Sequence, residues 1–177
     1  MKNFEVFNKA VVVKNIPLAF EGRELPSKLQ AKLMLMRVSY EKFSASFNEK
    51  LQDVLKGLKA EGFDELAQKI REMESIEKNE NATPEEIEKA QQIRHADYDN
   101  YKKQEKELLE KYQEAYNQEL NEESGFNEKK FSEEELAEII DMIKTDGEID
   151  FVGGDGNAVK IKKMELIGLI ASVFVED

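Results

Sequence analysis

From residue 29 the apolar side chains recur in alternating steps of four and three: Leu29, Leu33, Met36, Tyr40, Phe43, Phe47. That spacing puts them on one helical face and reads as a heptad seam. Lys50 interrupts it, and Leu51, Val54, Leu55 and Leu58 resume on a shifted register. Pro26-Ser27-Lys28-Leu29-Gln30 has the Ser-x-x-Gln form of a capping box, and Glu61-Gly62 supplies the stop. The pattern predicts a helix over about 27–60, roughly 50 Å long at the α-helical rise.

Leu66, Ile70, Met73 and Ile76 predict a second helix over about 64–78. After the polar break at 79–82, Thr83-Pro84-Glu85-Glu86 reads as an N-cap, a Pro at the first helical position and a Glu at the third. A third helix then extends over about 84–121, again more than roughly 50 Å. Its seam is Ile87, Arg94, Tyr101, Leu108 and Ala115, interleaved with Gln91, Tyr98, Glu105, Tyr112 and Glu119. Half of these positions are polar, so no continuous dry stripe is available to bury. The first and third helices match in length, which predicts an antiparallel hairpin arm with the second returning the chain between them.

Beyond Glu122-Glu123-Ser124-Gly125 the texture changes. Ser132-Glu133-Glu134-Glu135 is another capping box, with Leu136, Ile139, Ile140 and Ile143 behind it. Glu148–Val152 and Asn157–Ile161 flank Gly153-Gly154-Asp155-Gly156 and predict a β-hairpin. Lys163–Val175 predicts a last helix with Leu166, Ile167, Ile170 and Phe174 on one face. Ala10–Asn15 reads either as a strand through Val11, Val12 and Val13 or as a short helix with Phe4, Phe7 and Val11 inward. The expected fold is mainly α: a long antiparallel helical hairpin, coiled-coil-like, with a small α+β end containing a β-hairpin. Its parts are an N-terminal segment at 1–26 packing on the α+β end, a long-helix arm at 27–125, and a helix, β-hairpin and helix at 126–177.

Composition narrows the chemistry. The 177 residues include no Cys and one His. Disulfides, thiol nucleophiles, Cys-ligated metals and multi-His metal sites are therefore excluded. Residues 1–20 lack a long apolar core and a small-residue cleavage site, so no secretory signal is expected. The longest mostly apolar run, Leu166–Val175, is half the roughly 20 residues a membrane helix needs. The expected setting is a virion or a host cytoplasm, neither secreted nor membrane-bound. The formal charge is −12, which disfavours broad contact with nucleic-acid phosphates. It is unevenly spread. Residues 1–60 hold 11 basic and 6 acidic side chains, net +5; 61–135 hold 11 and 23, net −12; 136–177 hold 4 and 9, net −5. Such a chain favours charge-matched contact, within itself or with a like-patterned neighbour.

The candidate chemical groups each have a plainer structural role. Gly153-Gly154-Asp155-Gly156 lacks the Gly-Lys-Ser/Thr ending of a phosphate loop and the third Gly of a dinucleotide fingerprint, and reads as a hairpin tip. Asp146, Glu148, Asp150 and Asp155 fail the calcium-loop spacing, which would put Met142 and Lys144, or Phe151 and Gly153, on ligand positions. His95 stands one turn before Asp99, as an exposed helical pair. Glu133, Glu134, Glu135 and Glu138 crowd a helix start, where acids favour the macrodipole. No catalytic, cofactor-binding or metal-binding residue is expected. The best interaction candidates are aromatic: Tyr98, Tyr101, Tyr112 and Tyr116 on the third helix, with Tyr40, Phe43 and Phe47 on the first as interface residues or as their intramolecular partners.

The segments KLQAKLMLMRVSYEKFSASFNEKLQDVLK (28–56), AYNQELNEES, FSEEELAEIIDMI and ELIGLIASVFVE give a layout that resembles small uncharacterised bacteriophage-encoded α-helical proteins. The resemblance implies a virion, morphogenesis or host-takeover role. The expected function is that of a non-enzymatic protein–protein interaction module in virion structure or assembly, binding other phage proteins or itself. The alternative is a soluble acidic inhibitor of a host enzyme or defence system, acting by nucleic-acid mimicry.

Overall fold

The computed structural model describes residues 1–20, 22–143 and 146–174. The chain is mainly helical (73%), with six helices and one two-stranded antiparallel sheet among the described residues. In chain order, α1 is Asn3–Asn15, a 3-10 turn covers Ile16–Phe20, α2 is Ser27–Leu58, α3 is Phe63–Glu77 and α4 is Pro84–Asn121. Then come α5 (Glu133–Met142), β1 (Glu148–Val152), β2 (Ala158–Lys162) and α6 (Lys163–Phe174). The expected last position of α6, Val175, lies outside the described residues, as does Lys144 of the calcium-loop test.

The segment with two readings, 4–15, is a helix, which corrects the strand alternative. Its inward residues are Val6, Val12 and Val13, whereas Phe4 is exposed and Phe7 half-buried. Tertiary burial has overridden the strand preference of three consecutive valines.

The chain divides into two compact units: Met1–Glu49 with the chain from Glu119 onwards, and Lys50–Gln118. In the first, the inward seam of α2 (Leu29, Leu33, Met36, Tyr40) meets Val6, Val13 and Ile16 from the N-terminal segment, Leu136 and Ile139 from α5, Ile149 from β1, and Leu166 and Ile170 from α6. Aromatic rings extend this core: Phe7 against Phe43 and Phe47 at 5.3 and 5.0 Å, and Tyr40 stacked on Phe126 at 5.0 Å. The start of α1 meets the end of α4. The Asn3 amide N–H donates to the Glu122 carbonyl, and Asn3 Nδ2 donates to that of Glu119. Donors left over at one helix start thus satisfy acceptors left over at another helix end. The hairpin pairs Ile149 with Ile161 and Phe151 with Val159, so Ile149 is buried while Asp150 and Lys160 face each other on the other side.

In the second unit α3 packs antiparallel on the first half of α4. Phe63 stacks on Tyr101 at one end, and Ile76 and Glu77 share a small pocket with Ile87 and Ala90 at the other. Ile70, Met73 and Ala90 form the dry centre, with Ile93, Tyr98 and Tyr101 packed around it. Arg94 grips Glu77 with two nitrogens, and Lys69–Asp97 and Lys89–Glu72 pair at 3.7 and 3.8 Å. Arg94 is a polar position of the α4 seam, and Lys89 and Asp97 flank it. Gly62, at φ +75°, makes the turn into α3.

Candidate interaction surface

The aromatic candidates fall into three groups. Tyr40 and Phe47 are buried and Phe43 is half-buried in the first unit, where their ring partners are Phe7 and Phe126. Tyr98 and Tyr101 lie against the α3–α4 centre. Tyr112 and Tyr116 are half-buried neighbours, with ring centres 6.4 Å apart.

Two of these hydroxyls are electrostatically marked. Burial pushes the Tyr40 phenol up, and the adjacent Glu128 carboxylate, 3.5 Å away, adds to the effect. Lys9 holds that carboxylate at 2.6 Å, with its ammonium over the Phe174 ring. Tyr101 donates to Glu105 at 2.6 Å, which raises its own ionisation, with burial second. Lys102 and that same hydroxyl hold Glu105 below the usual carboxylate range.

The acids singled out by sequence serve local structure. The Ser132 hydroxyl accepts from the Glu135 N–H, the Glu135 carboxylate accepts from the Ser132 N–H, and Lys32 also reaches that carboxylate. Asp155 accepts from the Asn157 N–H and side chain at the hairpin tip, which lowers its own ionisation range. His95 is exposed on α4. Among the described residues no three His, Cys, Asp or Glu side chains are grouped as metal ligands, and no helix is long and apolar enough to cross a membrane.

The surface feature that sequence reading passed over lies on the back of α2. Met34 is 70% exposed, Leu35 53% and Val38 41%, with exposed Ala31 completing an i, i+3, i+4, i+7 set. These residues face away from the buried seam of the same helix. Beside them an open groove of about 760 Å³ lies between α2 and a wall that includes Pro17, Phe20, Gly22 and Leu25. Phe20, Leu25, Met34 and Val38 line it, with Arg37 and Glu41 on its α2 wall. The signal was present as a second apolar periodicity, offset from the first and masked by it.

No family model, no curated protein and no solved structure matches the chain.

Proposed function

We propose that the chain is a non-enzymatic bacteriophage protein that acts as a protein–protein interaction module in virion structure or assembly, docking through the outward face of α2. The observation that carries this reading is the exposed stripe Ala31, Met34, Leu35 and Val38 beside its groove. Contiguous apolar surface of this kind, rimmed by charge, marks an interaction site. Of the aromatic residues first chosen as contacts, Tyr40, Phe43 and Phe47 pack into the core of the first unit on the other side of α2 from that face. Ion pairs from α3 to α4 engage Glu72, Glu77 and Asp97 within the hairpin, which favours an interaction role over a free acidic surface imitating nucleic acid.

Mass spectrometry of purified phage particles tests the reading, together with deletion of the coding sequence. The protein is expected among the virion components, or its loss is expected to arrest assembly. Absence from particles combined with normal assembly on deletion contradicts the proposal.

A further inference from the structure

We infer that the outward face of α2 pairs two copies of this chain, with the two α2 helices antiparallel about a two-fold axis. The inference rests on the interaction reading and names a first partner for that face.

The shape of the surface asks for a helix. Ala31, Met34, Leu35 and Val38 repeat at the spacing by which one helix seats against another, and exposed Ala45 stands two turns beyond Val38 on the same face, past the charged pair Glu41 and Lys42. The other side of α2 is already filled by Leu29, Leu33, Met36 and Tyr40, so this helix carries two apolar faces of which one is unpartnered.

Charge on the edge selects the occupant. Arg37 and Glu41 stand one turn apart on the same wall of the groove. In a two-fold antiparallel pair, a side chain keeps its side of the seam while the direction along the helix reverses. With the axis between positions 37 and 41, Arg37 of each copy meets Glu41 of the other, and the contact occurs twice. The same register seats Met34 beside Ala45 of the second copy and puts Val38 near the axis. In a parallel pair the two Arg37 side chains would fall on opposite edges of the seam, and neither would meet Glu41 of the other copy. A uniformly acidic or basic foreign helix would match one of the two charges and repel the other.

Sedimentation velocity on the full-length chain tests this. Wild type is expected to show a concentration-dependent dimer. Val38→Glu and, separately, Met34→Glu are expected to raise the dissociation constant about tenfold or more. Their far-UV circular dichroism stays that of wild type, because both side chains project into solvent. Arg37→Glu and Glu41→Arg each weaken the dimer several-fold, and the double variant R37E/E41R restores it, because both reversed charges meet across the axis. A chain that remains monomeric, a dimer indifferent to Val38→Glu and Met34→Glu, or a double variant no stronger than the singles overturns the pairing. If the monomeric chain is still found in purified particles, the interaction reading stands and the self-pairing alone falls.

Discussion

Asn15 shows how one side chain completes a two-stranded sheet. The Gly153 N–H bonds to the Asn157 carbonyl and the Lys163 N–H to that of Gly147, which sets the hydrogen-bonding phase of the hairpin. Val152 therefore turns its backbone groups away from β2. The Asn15 amide takes both: Nδ2 donates to the Val152 carbonyl at 3.0 Å, and the Val152 N–H donates to Oδ1 at 2.8 Å. Asn15 is fully buried. Asn15→Ala strands two polar groups and is expected to lower unfolding free energy by about 2–4 kcal/mol, from the cost of unsatisfied buried groups. Urea unfolding reads this, and a loss within ~0.5 kcal/mol of zero, the range of neutral surface changes, contradicts it. Tyr40 offers a spectroscopic counterpart. Its ionisation is pushed above the ordinary 10.0, so the folded state keeps the neutral phenol. Its contribution to stability is complete below pH 10 and is lost as pH rises from there toward the folded value. Ultraviolet titration should show a late-ionising component among the five tyrosines that disappears in Tyr40→Phe. Neither role was legible in sequence, because both partners, Val152 and Glu128, are more than eighty residues away.

Among the elements, boundaries set by local chemistry were the most legible. The start of α4 at Pro84 follows from Thr83-Pro84-Glu85-Glu86: the Glu86 N–H donates to the Thr83 hydroxyl, and the Thr83 N–H donates to the Glu86 carboxylate. The start of α5 follows from Ser132 and Glu135 in the same way. Each motif needs only residues three apart, so no tertiary information is required. Thr83→Ala and Ser132→Ala are each expected to cost about 1 kcal/mol in thermal or urea unfolding. No change in either variant would mean that packing alone sets these helix ends. The inward seam of α2 was equally legible: Leu29, Leu33, Met36, Tyr40 and Phe47 are all buried. What periodicity concealed was the second face of that helix. Met34, Leu35 and Val38 interleave with Leu33, Met36 and Tyr40, and a run so dense in apolar residues reads as one broad stripe until the buried half is known. Helix α1 was ambiguous for a different reason. Its β-branched run favours a strand locally, and only the contacts of Val6, Val12 and Val13 with the core decide the matter.

At the scale of the whole molecule, charge sets how stability responds to pH. Glu77, Glu86, Glu105, Glu123 and Glu135 are all held below the ordinary carboxylate value of 4.5, chiefly by hydrogen bonds to Arg94, Thr83, Lys102, the N-terminal ammonium and Lys32 respectively. A lowered folded value means stability that is present above the unfolded value and lost as pH falls through the folded one. The urea midpoint should therefore hold through neutral pH and decline below about pH 4.5. The decline should be shallow, because these carboxylates are largely solvated. A midpoint that rises into acid would contradict these assignments. The net charge of −12 conceals a basic first third, and the outward face of α2 lies within it. That face is the centre of the functional account, and oxidation of Met34 in assembled particles tests it most directly. Met34 is 70% exposed and Met36, two residues on, 1%, so dilute free chain treated with peroxide should oxidise at Met34 first, with Met36 as the internal protected standard. In purified particles Met34 is expected to become as protected as Met36. Met34 oxidising in particles as fast as in the free chain would contradict it.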